Sequence, residues 1–186
     1  DYNGRQVYWH TGGAFGHVTN VCFVPEEKLG IAILTNNDNQ SFFEALRYQI
    51  LDAYLSVPYT DRSRLMWGFF EPSMKERREQ LAAMEKRVGA RNQPSLALTE
   101  FTGTYRNDVY GKINVREAGG KLSIHLEHHP FLVGHLDYMD NNEFRVTYSH
   151  IGYGIYPVRF TVDKGKISGV VVQSNEFVET DAYLFI

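Results

Sequence analysis

The sequence has little of what builds cross-linked or membrane-spanning proteins. A single cysteine among 186 residues excludes an internal disulfide framework. This cysteine lies in the apolar run Val21-Cys22-Phe23-Val24, so we expect a buried, unreactive thiol. The apolar runs, such as Ile31 to Leu34, are far shorter than the roughly 20 residues of a transmembrane helix. We therefore expect no membrane span.

The sequence also lacks an excess of either charge. It carries 19 basic and 22 acidic residues, for a net charge of -3, and neither sign dominates a long segment. This balance gives no electrostatic footprint for nucleic acid. A hydrophobic content of 43% and a charged content of 22% are typical of globular domains.

An initiator methionine and a basic-then-apolar leader are missing at the start of the chain, which opens on Asp1. We therefore expect a segment of a longer protein, in which any export signal lies upstream.

The first third of the sequence reads as antiparallel strands followed by a helix. Strands are predicted at Gln6 to Trp9, Val18 to Val24 and Leu29 to Thr35, with a glycine-rich stretch after the first and a turn before the last. The near-continuous apolar run from Leu29 to Thr35 is typical of a strand covered on both faces. Ser41 and Glu44 predict a capping box. A helix ending near Pro58 is predicted from an apolar stripe of Phe43, Leu46, Ile50 and Tyr54.

Residues 59–94 are predicted to be a helical connector. Pro72 and Ser73 with Glu76 indicate a helix start, and Gly89 indicates its end. The apolar stripe between them is too short for a coiled coil, which makes a connector the preferred interpretation.

The remainder, residues 95–186, is predicted to be all β. Eight short apolar runs alternate with turn signals, which favours a closed antiparallel barrel because closure removes unpaired edges. Eight strands leave an interior for side chains or one small ligand. The predicted strands are Phe101–Asn107, Lys112–Glu117, Leu122–Leu126, Leu132–Asp137, Glu143–Tyr148, Tyr156–Val162, Ile167–Gln173 and Thr180–Phe185. The predicted fold class is thus α+β.

His10-Thr11-Gly12-Gly13 is the sharpest candidate for chemistry. Glycine lets backbone N–H groups approach a ligand closely at a strand edge. A donor aimed at a developing oxyanion, next to a histidine, is what acyl transfer requires. On the pattern alone, a plain turn is the alternative.

The surrounding residues resemble one family. The matching runs, in order, are Asp1-Tyr2-Asn3-Gly4-Arg5, Val7-Tyr8-Trp9-His10-Thr11-Gly12-Gly13, Pro25-Glu26-Glu27-Lys28-Leu29-Gly30 and Ile31-Ala32-Ile33-Leu34-Thr35-Asn36. They are similar to the serine β-lactamase-like hydrolases, the group of class C β-lactamases, penicillin-binding proteins, D-alanyl-D-alanine peptidases and esterases. The resemblance covers residues 1 to about 57.

The resemblance implies a role for each motif residue. His10, Thr11 and Gly12 correspond to the family's third motif, Lys-Thr-Gly, with histidine in place of lysine. His10 would face the substrate cleft, Thr11 would line the same strand edge, and Gly13 would offer its N–H to the oxyanion hole. The family's Ser-x-x-Lys nucleophile and Tyr-x-Asn motif lie upstream. No serine in the chain has lysine three residues later, and Tyr105-Arg106-Asn107 follows the motif, so we interpret it as a coincidence.

The barrel region carries a second resemblance. Glu100-Phe101-Thr102-Gly103-Thr104-Tyr105, Tyr110-Gly111 and Gly120-Lys121-Leu122-Ser123-Ile124 are similar to the lipocalin-like domain often found after such hydrolases. The resemblance implies an accessory role. The predicted domains are a hydrolase segment at 1–58, the connector at 59–94 and the barrel at 95–186.

Four histidines are close in sequence: His125, His128, His129 and His135. Alternation would place His125 and His129 on one strand face. Pro130 interrupts the run and only Glu127 is a nearby carboxylate, so surface histidines are the preferred interpretation over a metal site. We expect no cofactor.

Together these features predict the C-terminal part of a serine hydrolase that cleaves an amide or ester through an acyl-enzyme. The substrate is a β-lactam, a D-amino-acid peptide or an ester, and the missing N-terminal catalytic half is the expected partner. The resemblance implies a periplasmic or extracytoplasmic location in a bacterium. The alternative is a lipocalin-like module that binds a small apolar ligand.

We predict that the 186-residue chain self-associates. The family's sheet has more strands than residues 1–57 supply, and exposed edges and apolar faces drive association. Light scattering at micromolar concentration should show a species larger than a monomer. A clean monomer would contradict the prediction, provided that no separate chain supplies the missing half.

Overall fold

The computed structural model describes residues 1–14, 16–37, 40–173 and 181–186. They form two compact units, Asp1–Arg77 and Arg78–Ile186. Across the described ranges the fold is mostly antiparallel β, with a three-stranded sheet, a nearly closed eight-stranded barrel and two α-helices. The predicted division at residues 58 and 94 stays a prediction.

The first unit contains the three-stranded antiparallel sheet. Its strands, in spatial order, are β1 (Tyr8–Ala14), β2 (His17–Val24) and β3 (Leu29–Thr35). A 3-10 turn at Pro25–Glu27 joins β2 to β3, and Lys28 closes it in the left-handed region with a φ of 51°. The sequence predicted these elements, but it ended the first strand at Trp9.

Strand β1 extends five residues beyond that prediction, because its glycines pair with the next strand. Gly12 lies opposite Thr19 and Gly13 opposite Val18. Local sequence favoured a loop here, since glycine weakens a strand. The pairing with β2 is a non-local contact that overrides this preference.

Helix α1 (Phe42–Tyr54) lies against one face of this sheet. Leu51 of the helix and Leu55, its C-cap residue, pack among Cys22, Val24, Ile31 and Ile33. Ser41 occupies the N-cap position, but its side chain makes no capping hydrogen bond, so the predicted capping box is wrong. Gln40 Oε1 instead accepts a hydrogen bond from Phe42 N at 2.6 Å.

The opposite face of the sheet is exposed, which corrects the prediction that β3 is covered on both sides. Ile31 and Ile33 are buried, whereas Leu34, the residue after Ile33, is 79% exposed. Val21 and Phe23 of β2 are also exposed. The strand is therefore amphipathic despite its apolar sequence. Tyr54, predicted within the helix stripe, is exposed as well.

Helix α2 (Arg62–Gly89) begins earlier than the sequence indicated and runs through Pro72. Asp61 explains the early start, because its Oδ1 accepts a hydrogen bond from Arg64 N at 2.9 Å, as an N-cap residue does. A proline removes one intrahelical hydrogen bond. Here that loss does not end the helix, and Gly89 is its last residue as predicted.

The second unit is the barrel, and its eight strands follow the chain order. Two hydrogen bonds join the first barrel strand to the residue after β11: Arg106 N donates to Ile186 O at 2.7 Å, and Ile186 N donates to Arg106 O at 2.9 Å. The predicted turn at Ser174-Asn175 and the start of the last predicted strand lie outside the described residues. The strands are β4 (Gly103–Asn107), β5 (Gly111–Ala118), β6 (Lys121–Leu126), β7 (His129–Asp140), β8 (Glu143–Tyr148), β9 (Ile155–Asp163), β10 (Lys166–Val172) and β11 (Tyr183–Phe185).

Aromatic side chains pack in the barrel core. Phe101, on a short 3-10 turn before β4, is fully buried. Its ring lies edge-to-face against Phe144 at 5.2 Å and Phe160 at 5.1 Å between centroids. The Tyr105 hydroxyl donates to Phe101 O at 2.9 Å. These contacts fix Phe101 in the core.

Ion pairs join the last turns of α2 to the barrel within the second unit. Arg87 Nε donates to Asp140 Oδ2 at 2.9 Å, and Arg87 Nη2 donates to Glu143 Oε2 at 2.7 Å. The guanidinium hydrogen bonds hold the pKa of the Asp140 carboxyl below its usual value. Arg145 similarly binds Asp137 at 2.7 Å and contacts Glu85.

We predict that Phe144→Ala destabilises the barrel by about 3–5 kcal/mol, because it removes a 1%-exposed ring from the aromatic core. Phe131→Ala is the matched control, since Phe131 is 97% exposed and should change the free energy of unfolding by less than about 0.5 kcal/mol. Denaturant unfolding followed by circular dichroism measures both. Equal effects of the two substitutions would show that the core assignment is wrong.

Candidate active-site strand

The candidate motif lies on β1, an edge strand. Within the described ranges, β1 pairs with β2 and with no second strand. In an antiparallel pair, the peptide groups of alternate residues point to opposite edges. Every second N–H and C=O of β1 therefore points away from β2, where another group can bind them.

The register separates the motif residues onto the two faces of the sheet. His10 lies opposite Val21 and is exposed on the uncovered face. Thr11 lies opposite the buried Asn20, on the face that α1 covers. Gly12 returns to the uncovered face. The structure thus presents the His10 imidazole to solvent, and Thr11 is half-buried.

Asn20 of β2 forms a side-chain hydrogen bond to the motif strand. Its Nδ2 donates to His10 O at 3.2 Å, while its Oδ1 is buried and makes no hydrogen bond to the described residues. Thr19 Oγ1 donates to Gly12 O at 3.3 Å. These side-chain bonds add to the backbone ladder at the motif. Sequence reasoning missed them because they depend on the strand register.

Arg47 supports the motif strand from α1. Its side chain is 1% exposed, and its guanidinium carbon lies 4.1 Å from the centroid of the Trp9 ring and 4.7 Å from that of Tyr48. Nη2 lies 3.3 Å from Glu44 Oε1, and Nη1 has no hydrogen-bond partner among the described residues. A desolvated cation over two rings is a strong cation–π arrangement. In the sequence, the burial of Arg47 is indicated only by its position four residues before the core residue Leu51.

A second polar network fixes the start of the chain to α1. The Tyr2 hydroxyl donates to the buried Asp52 carboxylate and accepts from Arg62 Nη2 at 2.7 Å. Burial, and then the hydrogen bond to Asp52, raise the pKa of Tyr2. Both networks hold β1 and its preceding turn from the covered side, which leaves the other side of the strand accessible.

Cys22 is not placed to act as a nucleophile. It is 2% exposed, and burial raises the pKa of its thiol, so it stays protonated at neutral pH. This confirms the expectation of a buried thiol.

The Tyr-x-Asn match in the barrel is structural. Asn107 Oδ1 accepts hydrogen bonds from Val109 N at 2.8 Å and Tyr110 N at 3.1 Å, which stabilises the turn after β4. The Tyr105 hydroxyl binds the Phe101 carbonyl inside the barrel. The interpretation of these residues as strand and turn is confirmed.

The four histidines do not form one group among the described residues. His125 lies near the end of β6, whereas His129 is the first residue of β7. The chain turns between them at Glu127-His128. The strand does not continue from His125 to His129, so the alternation that would place them on one face does not apply. No grouping of three or more His, Cys, Asp or Glu side chains is placed to hold a metal ion in the part of the chain that the structure describes.

An apolar cavity of about 580 Å³ lies within the first unit, between α1 and the first half of α2. Phe42, Met66, Trp67 and Phe70 are among the side chains that line it. None of the motif residues reaches this cavity. Neither helix described is long and apolar enough to cross a membrane.

A model of the family described as a domain of unknown function, DUF3471, matches residues 88–183. A search of the curated proteins found no match.

Solved structures give distant matches. "Crystal structure of SurE" is 16% identical, with a TM-score of 0.35, and the match covers 88% of this chain and 32% of that one. "Structure of the octameric penicillin-binding protein homologue from Pyrococcus abyssi" is 14% identical, with a TM-score of 0.33, covering 98% and 34%. The chain thus spans about a third of the length of the structures it matches.

We predict that Asn20→Ala lowers the free energy of unfolding by about 1–3 kcal/mol, because the buried side chain holds the His10 carbonyl. Thr19→Ala, at the preceding residue, is the matched control. Its bond to Gly12 O is longer and exposed, so the loss should stay below about 0.5 kcal/mol. Denaturant unfolding followed by Trp9 and Trp67 fluorescence compares them. A larger effect from Thr19→Ala would contradict the role of Asn20.

Proposed function

The chain belongs to the DUF3471 family, whose description names no activity, and from its residues we propose that it forms one wall of a serine hydrolase active site. The enzyme would cleave an amide or ester bond through an acyl-enzyme. The observation that carries the proposal is the position of His10-Thr11-Gly12 on the accessible edge strand β1.

An edge strand suits this role because of its backbone donors. Acyl transfer builds negative charge on the carbonyl oxygen, and fixed N–H groups aimed at that oxygen stabilise it. We assign the oxyanion donor to Gly13 N–H, as the family resemblance implies. The side-chain bonds from Asn20 and Thr19 to the β1 carbonyls would keep this donor in place.

The other motif residues would position the substrate. His10 is exposed beside the donor strand, so its imidazole is available to the substrate, while Thr11 and Gly12 shape the strand edge. The nucleophilic serine would come from a catalytic half outside these 186 residues. Its Oγ would attack the carbonyl carbon, the leaving group would depart, and water would hydrolyse the resulting ester.

The hydrolase segment at 1–58 and the connector at 59–94 would then lead to a lipocalin-like accessory barrel. The alternative, a barrel that binds a small apolar ligand, is less well supported. Phe101, Phe144 and Phe160 pack together in the core, where such a ligand would sit. We also propose an extracytoplasmic location, on the resemblance alone.

Hydrolysis assays on the longer protein of which we propose this chain to be part test the function. Nitrocefin, p-nitrophenyl esters and a D-alanyl-D-alanine peptide represent the three substrate classes. His10→Gln should lower kcat/KM for the substrate that is turned over by about 100-fold or more. His128→Gln, an exposed barrel histidine, is the matched control and should leave kcat/KM unchanged.

The 186-residue chain alone should turn over none of these substrates. Turnover by the purified chain, or full activity of His10→Gln in the longer protein, would overturn the proposal. Circular dichroism spectra matching the unsubstituted protein would confirm that the variants fold.

A further inference from the structure

Basic and hydroxyl side chains meet on the outer face of the barrel. Arg116 of β5 lies opposite Ser123 of β6, and Ser123 lies opposite His135 of β7. His125 follows two positions later on β6, so it shares the face of Ser123. We refer to Arg116, Ser123, His125 and His135 as the outer-face cluster.

Alternation along the strands places this cluster outside the barrel. Val115, Leu122 and Ile124 are buried in the core, and each neighbours a cluster residue in sequence. Their neighbours therefore point outward. Ser123 and His125 are half-buried there, whereas Arg116 and His135 are exposed.

The strand spacing brings the donors around one point. Neighbouring strands lie about 4.8 Å apart, so Arg116 and His135 flank Ser123 on its two sides. Ser123 Oγ and His125 Nε2 lie 3.0 Å apart. A guanidinium, a hydroxyl and two imidazoles offer several N–H and O–H donors to a ligand above Ser123.

The cross-strand neighbours of the cluster supply no carboxylate. Asn114 and Val133 flank His125, and Thr147 lies opposite His135. The other charged group on this side of β6 is Lys121, which is also basic.

Three carboxylates lie near the cluster along the strands, and each has another partner. Glu127, two positions from His125, accepts a hydrogen bond from Lys112 N at 2.9 Å. Asp137, two positions from His135, binds Arg145 at 2.7 Å. Glu117, next to Arg116, accepts a hydrogen bond from Gly120 N at 2.8 Å in the hairpin turn. Burial, then Arg116 and His135, lower the pKa of His125. Arg116 and Lys121 therefore give this face positive charge, and the carboxylates near it among the described residues have other partners.

We propose that the outer-face cluster binds a tetrahedral oxyanion, a phosphate or phosphate monoester. Arg116 and His135 would bind its oxygens from the two sides, and Ser123 would donate from the strand between them. Guanidinium groups match the geometry of phosphate oxygens, and such charge-assisted hydrogen bonds are strong. This site is separate from the proposed hydrolase role and does not depend on it.

Nuclear magnetic resonance on the isotopically labelled 186-residue chain tests the site. Inorganic phosphate is titrated at constant ionic strength, with chloride as the replaced anion, while the imidazole C2–H signals are followed. Saturable shifts are expected for His125 and His135 and not for His10. A bound dianion favours the imidazolium, so phosphate should raise the pKa of His125.

Variants locate the bound anion. Arg116→Gln and His135→Gln should each weaken phosphate binding about tenfold or more. Lys166→Gln on β10 removes the same charge away from the cluster and should leave the affinity unchanged. Backbone amide signals of the buried barrel residues Val115 and Ile124, at the positions seen in the unsubstituted chain, report in every variant that the barrel remains folded.

A parallel titration with soluble dihexanoyl phosphatidic acid identifies the source of the phosphate group. Binding of inorganic phosphate assigns the site to free phosphate, whereas binding of the lipid alone assigns it to a headgroup. Shifts that chloride reproduces, or affinities for both ligands that Arg116→Gln and His135→Gln leave unchanged, would overturn the proposal.

Discussion

The pairing of backbone N–H and C=O groups at sheet edges is the constraint on which both units depend. The barrel satisfies it internally, because Arg106 and Ile186 exchange two hydrogen bonds at 2.7 and 2.9 Å and join the last strand to the first. The three-stranded sheet has no such closure among the described residues, and β1 keeps an accessible edge. The His10-Thr11-Gly12 motif lies on that edge. The barrel is therefore nearly closed, whereas β1 has an edge with no paired strand among the described residues.

The parts of the fold that follow from local pattern were predictable. The eight barrel strands were recognisable because each is a short apolar run between turn residues, and α1 was placed by its apolar spacing. The errors come from non-local contacts. Nothing near Gly12 and Gly13 indicates that β2 will pair with them, and the apolar sequence of β3 does not show that Leu34 is exposed. The start of α2 is explained by the cap at Asp61, which the sequence pattern did not indicate.

The candidate site shows the same division. Its motif was visible in the sequence, because His10 and the glycines after it are contiguous. Its supports were not visible, because Asn20 and Arg47 act across strand and helix contacts. Both hold β1 from the covered side of the sheet. The outer-face cluster of the barrel was likewise hidden, since Arg116, Ser123 and His135 come together only through strand register.

The central proposal is that β1 forms one wall of an active site whose serine lies outside these 186 residues. Peptide mapping by mass spectrometry, after reaction of the longer protein with a β-lactam or a fluorophosphonate, tests it most directly. We predict one acyl or phosphonyl adduct, on a serine upstream of Asp1, whose formation slows when His10 is replaced by glutamine. An adduct on a serine within this chain, such as Ser123, or an adduct whose formation does not depend on His10, would contradict it.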